Sequence, residues 1–341
     1  MVCGIRVLRR NSRSLGRAKL GDMTQNLRLA VVMDPIAGIK YAKDSTLAML
    51  LAAQTRGFQL HYLEQQDLFL RDGRALGHAR PLTVRADPAG WFTLGEVATQ
   101  PLGGFDCILM RKDPPFDMEF IYTSYILDRA EEQGALVVNK PQGLRDMNEK
   151  AYTAWFPQCC APTLITRSMT DMDAFMREHG KIACKPLDGM GGRSIFITEP
   201  ADKNARVIFE TLTGSGLRYA MVQRYLPEIV ATGDSRVLLV DGEPVPYALA
   251  RIPSAGDNRG NLAAGAQGVG RPLNERDRWL AAQIGPTLAA KGMLFVGLDV
   301  IGGFVTEINV TSPTGIRELD KQFHTNIGDL LMQAIERRLR G

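Results

Sequence analysis

Three groups of residues in this 341-residue chain have types and spacings that could do chemistry. The first is KPLDGMGG at 185–192, which sets Lys185 at the end of an apolar run and Gly189, Gly191 and Gly192 in the loop after it. Glycines let backbone amides approach a phosphate closely, and a lysine supplies a point charge. The spacing satisfies neither the P-loop nor the Rossmann fingerprint, and a plain tight turn between two strands is the competing reading. The second group lies in LFVGLDVIGGFVTEINVTSPTG, where Asp299, Glu307 and Asn309 sit on two strands joined at Gly302-Gly303. Their carboxylate and carbonyl oxygens suit magnesium, with its open positions left for water and phosphates. Glu307 and Asn309 share a strand face. Asp299 joins them if the connecting loop is odd, for instance 302–304 with Ile301 opposite Val305, and a two-residue turn would separate them. Solvated strand positions are the alternative. The third group is basic: Lys150, the last residue of NKPQGLRDMNEK, is read as opening the helix after the first domain, while Arg236 and Arg251 alternate with apolar residues on two arms of a hairpin. Such residues clamp a transferring phosphoryl group or an anionic intermediate, although each taken singly also reads as a surface ion-pair partner. Together the three groups favour a nucleotide site.

These residues need elements to position them. LRLAVVMDP from Leu27 is a short apolar run ending at an acid and a proline, as a buried strand leaving a sheet would. A helix follows with Asp44 as N-cap, Leu47, Leu50 and Leu51 on one face and Gly57 as its stop, then the apolar run FQLHYL. CILM (107–110) reads as a strand, Asp117 to Gln133 as a helix with Phe120, Ile121 and Leu127 inward, and ALVVN (135–139) as another strand. The alternation predicts a parallel, doubly wound α/β sheet with a boundary near 145. Beyond it come a strand, glycine loop and strand over KIACKPLDGMGGRSIFIT, a helix around 203–214, and the strand YAMVQRYL. A hairpin turned at Asp241-Gly242 follows, then a stretch without periodicity at 252–268, a helix at 274–291, a strand pair, and a helix at 326–340. A loop as long as 252–268 is read as a lid or as disorder.

Charge and composition exclude several classes. The formal net charge is +4, but residues 1–22 hold six basic groups (Arg6, Arg9, Arg10, Arg13, Arg17, Lys19) against Asp22, which leaves −1 for the rest. A nucleic-acid or membrane-surface role would rest on that tail alone. The tail reads as a disordered extension, or as upstream of a true start at Met23. The longest apolar run, around Leu47 to Ala53, is far short of the roughly 20 residues of a membrane span. Cys3, Cys107, Cys159, Cys160 and Cys184 form no C-x-x-C pair, and the four histidines form no H-E-x-x-H. This usage argues against structural zinc or a disulfide framework and fits a reducing cytoplasm.

From about Leu27 to its end, the chain resembles the bacterial glutathione synthetase family of the ATP-grasp superfamily. The resemblance is carried in order by VVMDPI, MRKDPPFD, EFIY, VNKPQ, LRDMNEK, KPLDGMGG, SIF, QRYLP, VDGEPVPY, ARIP, RGNLAAG, FVGLD and TEINVTSPTGIRE. It implies an α/β fold, α+β in its C-terminal part, with an N-terminal doubly wound parallel sheet ahead of a two-part ATP-grasp fold. The expected units are a basic extension at 1–26, an N-terminal domain at 27–145, a central domain at 146–226 and a C-terminal domain at 227–341 with its lid at 252–268. By resemblance, Lys150 and Lys185 contact ATP phosphates under a loop of Gly189, Gly191 and Gly192. Gln223, Arg224, Tyr225 and Leu226 hold the adenine, and Asp234 reaches the ribose. Asp299, Glu307 and Asn309 bind two magnesium ions, with manganese as a substitute. Arg236 and Arg251 face the transferred phosphate, and Ser312, Pro313, Thr314 and Gly315 lie near the peptide. The implied reaction joins γ-glutamylcysteine to glycine with ATP through an acyl phosphate, in a cytoplasmic homo-oligomer without nucleic-acid or membrane partners. Another carboxylate–amine ligase of the superfamily, or an ATP-binding protein without turnover, are the alternatives. The intact set of acids and arginines argues against the last.

Overall fold

Leu29 to Val32 offer apolar side chains to both sides of the backbone, and strand β1 (Arg28–Val32) is accordingly buried on both faces in the middle of a sheet. The computed structural model describes residues 27–189, 191–253 and 267–341; the basic extension and residues 254–266 of the expected lid fall outside them. Asp44 accepts the N–H of Leu47 at 2.6 Å and starts helix α1 (Ser45–Thr55), which leads to the parallel strand β2 (Gln59–Leu63). The segment after β2 forms β4 (Arg74–Val84) with β3 (Leu68–Arg71), β5 (Phe92–Leu94) and β6 (Ala98–Pro101) as antiparallel additions around it. The chain returns on the far side of β1 as β7 (Cys107–Met110), helix α2 (Met118–Glu132) and β8 (Leu136–Val138). The order β3-β4-β2-β1-β7-β8 makes β1 and β7 the place where connections part to opposite sides, which is where an open α/β sheet holds ligands. Asp117 caps α2 as expected, but its buried face is Phe120, Thr123, Ser124, Leu127 and Ala130. Ile121 stays half-exposed because it follows Phe120 around the helix edge. Leu51 is likewise at the edge of the face that buries Leu47 and Leu50.

NKPQGLRD is a short helix, α3 (Pro141–Asp146), rather than a turn, with Pro141 at its first position. The following unit holds β9 (Thr163–Thr166), α4 (Met169–His179), β10 (Ile182–Pro186), β11 (Phe196–Thr198), α5 (Ala205–Thr213) and β12 (Ala220–Arg224), in the sheet order β11-β10-β12-β9. After α6 (Glu228–Thr232), a third sheet of order β15-β14-β13-β16-β17 is built from β13 (Asp234–Val240), β14 (Glu243–Ile252), β15 (Gln267–Pro272), β16 (Phe295–Ile301) and β17 (Phe304–Asn309). Asp241 and Gly242 turn the β13–β14 hairpin with φ of 52° and 85°. The ends of the expected 252–268 loop are strand: Ile252 pairs with Gln267 and Arg251 with Gly268. Helix α7 (Glu275–Ala290) covers one face of this sheet, and α8 (Ile316–Phe323) the other.

The last helix, α9 (Ile327–Leu339), packs on α1, and Leu331, Met332 and Ile335 share a core with Leu29, Val31, Leu47 and Leu50. Arg56 ties the two helices by donating to Asp329 at 2.8 Å and to both oxygens of Glu336 at 2.8 Å. Replacing Arg56 with Ala leaves the nearly buried Glu336 without this fork. The expected outcome in a thermal melt is a midpoint lowered by about 2–6 °C with unchanged KM values; an unaltered midpoint would show the network to be inert.

Candidate active site

Ala183 stands opposite Gln223 across β10 and β12. The period of two therefore places Ala183, Lys185 and Gln223 on one face, while Cys184 and Val222 pack on the other against Phe209, Met172 and Met176. That first face looks into a cleft of about 640 Å³ that also meets Ile195, Ile197, Leu226, Ile229 and Ile301. Its polar residues are Lys185, Gln223, Arg224, Tyr225, Asp234, Thr306 and Glu307. Glu307 also lines a second cleft of about 840 Å³, with Asp113, Glu149, Gly191, Arg236, Arg251, Asp299, Asn309 and Thr311 to Thr314. One cleft is a long apolar slot with a few polar groups, and the other is a charged chamber. A flat aromatic group with an anionic tail fits this pair.

The acids reach one face by a route the sequence reading excluded. The β16–β17 turn is a two-residue turn, with Ile301 opposite Phe304 and Gly302 and Gly303 at φ of 56° and 79°, the twin positive φ of a hairpin turn that favours glycine. Such a turn alone would set Asp299 and Glu307 on opposite faces. A β-bulge restores the match: Val300 pairs with Val305 and Asp299 with Glu307, so Thr306 is the extra residue. Its hydroxyl donates to the Asp299 carbonyl at 3.3 Å. The result is a cross-strand row of Arg236, Asp299 and Glu307, with Asn309 opposite Gly297 in the next row.

Charge pairing inside this row is close. Arg236 Nε donates to Asp299 Oδ1 at 2.5 Å, while Arg251 Nη2 lies 2.5 Å from Asp234 Oδ2 and 2.8 Å from Asp299 Oδ2. Burial alone would raise the Asp299 pKa, but the two arginines outweigh it and hold the carboxyl well below its usual range. Asp234 goes the other way: burial, only partly offset by Arg251, pushes it up to about 7, and its Oδ1 has no hydrogen-bond partner. Lys150 is fully buried, with its Nζ donating to Glu149 and, at 2.6 Å, to the Gly189 carbonyl, 3.6 Å from Glu307. Burial lowers the Lys185 pKa, while for Lys150 the two glutamates outweigh burial and raise it.

Most of the residues singled out in the sequence therefore converge. Among the three glycines, Gly191 lines the chamber, Gly189 holds Lys150 and Gly192 is buried behind them. Ser312, Pro313 and Thr314 line the chamber, whereas Gly315 sits back as the N-cap of α8 at φ 119°. Glu149, Asp113 and Arg111 were not singled out, although all three stand in quoted strings. Glu149 was legible only as the neighbour of Lys150. Arg111 lies immediately after β7, is 7% exposed, and donates to Thr46 Oγ1 at 3.1 Å and to the Pro313 carbonyl at 3.0 Å. It thus fixes the 311–314 loop onto the first sheet, while Asp113 accepts from the Ser312 hydroxyl.

Oxygen donors of this kind suit a hard divalent cation. Asn309 gives its amide N–H to the Gly297 carbonyl at 3.3 Å, leaving its own carbonyl oxygen out of that bond. Among the described residues no three Asp, Glu, His or Cys side chains stand close enough to form a cage by themselves. Asn309, water and phosphate oxygens would complete the set, the usual arrangement for magnesium.

Family models match nearly the whole described chain: "Prokaryotic glutathione synthetase, N-terminal domain" over residues 27–145 and "Prokaryotic glutathione synthetase, ATP-grasp domain" over 149–324. The chain belongs to the prokaryotic glutathione synthetase family. It is 59% identical over 315 residues to the glutathione synthetase of Pseudomonas putida, covering 92% of this chain and 99% of that one. It is 58% identical over 313 residues to that of Escherichia coli K12, covering 92% and 99%. Among solved structures, D-cycloserine synthetase DcsG shares the fold with a TM-score of 0.65 at 17% identity, covering 92% of this chain and 99% of that one. As a glutathione synthetase of the ATP-grasp type, the chain is an ATP-dependent carboxylate–amine ligase. No helix of the described residues is long and apolar enough to cross a membrane.

Asp234 gives this site a pH signature. Its folded pKa of about 7 lies above the ordinary 3.8, so it stabilises the fold in acid and that contribution is lost as pH rises through 7. Thermal midpoints measured from pH 5 to 8 should fall less steeply for Asp234→Asn than for the parent; parallel slopes would assign the raised pKa elsewhere.

Proposed function

We propose that the two clefts are the nucleotide and peptide halves of one ligase site, in which γ-glutamylcysteine and glycine become glutathione with ATP cleaved to ADP and phosphate. The observation that carries this reading is Glu307, which lines both clefts and stands in one cross-strand row with Arg236 and Asp299. The purine lies in the apolar slot against Gln223, Arg224, Tyr225 and Leu226, with Ile195, Ile197 and Ile301 on its faces. The unpartnered oxygen of Asp234 accepts a ribose hydroxyl. Lys150 and Lys185 contact the phosphates beneath the loop of Gly189, Gly191 and Gly192. Asp299, Glu307 and Asn309 would hold two magnesium ions, for which manganese could substitute; bound there, the metal would offset the charge of the triphosphate during transfer.

The cysteinyl carboxylate is a poor acylating group. One of its oxygens attacks the γ-phosphorus, the bond to the β–γ bridging oxygen breaks, and ADP leaves behind an acyl phosphate. Arg236 and Arg251 stand where negative charge builds on the transferred group, and they can do so only by sharing their donors with Asp299 and Asp234. Glycine's amine, having lost its proton, then attacks the acyl carbon, the C–O bond breaks, and phosphate departs. A guanidinium such as Arg251 stabilises the anionic tetrahedral intermediate more than the ground state. Ser312, Pro313, Thr314 and Gly315 shape the peptide side, with Arg111 holding their loop in place. The four described cysteines are free thiols, three of them buried, consistent with work in a reducing compartment.

Two measurements test this reading. ADP release should require magnesium-ATP, γ-glutamylcysteine and glycine together, with the tripeptide identified by mass; release with a different acid and amine pair instead would move the substrate assignment to another ligase. Glu307→Ala should lower kcat by at least about a hundredfold, as loss of a catalytic metal contact would, with the melting curve retained. Near-parent activity at low magnesium would remove Glu307 from the metal site.

A further inference from the structure

Glu149 has no role in the reaction as written above, yet several parts of the site meet at it. Its carboxylate accepts from Lys150 Nζ, and the same ammonium donates to the Gly189 carbonyl at 2.6 Å and stands 3.6 Å from Glu307 Oε1. Its backbone carbonyl accepts the N–H of Ile308 at 2.7 Å, tying residue 149 to β17 between Glu307 and Asn309. It lines the charged chamber beside Pro114 and Thr311. The Lys150 side chain is only 2% exposed, so its ammonium depends on the partners the protein supplies. With Glu149 gone, the ammonium is left with the Gly189 carbonyl on one side and Glu307 on the other, and it loses the third contact that fixes its position.

We propose that Glu149 is a positioning residue that holds the Lys150 ammonium between the glycine loop and β17, so that the lysine is aimed at the phosphates before they bind. This rests on the reading of Lys150 as a phosphate contact. It also opposes what charge alone dictates, because removing a carboxylate beside a triphosphate relieves repulsion and should tighten binding.

The test is the dissociation constant of magnesium-ATP, measured by calorimetry on the full chain without peptide substrates. The variants are Glu149→Ala, Glu149→Gln, Lys150→Ala and the double alanine, each with a melting curve. Glu149→Ala should weaken binding about tenfold, the scale of one charge-assisted hydrogen bond. Glu149→Gln should recover most of that loss, since its amide oxygen still accepts from the ammonium, and it serves if the alanine variant folds poorly. In the Lys150→Ala background, Glu149→Ala should change affinity less than about twofold. An equal loss in both backgrounds, or tighter binding without Glu149, would overturn the proposal. Lys150→Ala by itself separates the two levels: if it leaves ATP affinity unchanged, the phosphate reading of Lys150 falls and the proposal falls with it.

Discussion

Four charges buried in one sheet govern much of this molecule. Arg236, Arg251, Asp234 and Asp299 are each less than a tenth exposed, and taking any of them from water is costly unless a partner of opposite sign is held at hydrogen-bond distance. The sheet meets that demand by register: Asp234 opposite Arg251, and Arg236 opposite Asp299. The apolar residues between the charges pack toward α7 and α8 and keep the strands in place. A cluster paired so closely adds little to stability by itself. Three of its members, Arg236, Arg251 and Asp299, line the charged chamber, where they present fixed charges that need little reorganisation when a charged group arrives.

The same demand accounts for the bulge at Thr306. A two-residue glycine turn is the tightest way to join β16 and β17, but it fixes a parity that would send Glu307 to the far face. One unpaired residue changes that parity between the turn and the acids. Parity is a global property of the hairpin, while a bulge is a local choice between near-equal backbone geometries. Nothing in FVTEIN distinguishes the bulged residue from its neighbours, which is why the three candidate oxygen donors could be read from the sequence and the way they come together could not.

Other parts of the fold were legible for equally local reasons. Asp44, Asp117 and Asp241-Gly242 act on backbone groups within a few residues, so their caps and turn stand where the chain pattern put them. The antiparallel strands β3, β5 and β6 are only three or four residues long and carry mixed side chains, too few to show a period, and each pairs with β4. β15 depends in the same way on its partner β14, across a stretch whose glycines suggested only a loop. Arg111 and Glu149 escaped notice because their roles come from contacts far along the chain, with Pro313 and Ile308, and each looks like an ordinary charged residue beside a recognised motif.

The packing of α9 on α1 bears on how the protein comes into being. The first sheet is made from the earliest described residues, yet one of its faces is closed by Leu331, Met332 and Ile335, which leave the ribosome about 280 residues after Leu50. During synthesis, Leu47, Leu50 and their neighbours must wait with an apolar face uncovered while roughly the whole chain is made, a matter of tens of seconds at ordinary elongation rates. The nascent N-terminal half is therefore the part most in need of a chaperone's cover. A fusion partner joined after Gly341 would sit one residue beyond Arg340, next to that closing helix, where it could delay the final docking step without touching the site.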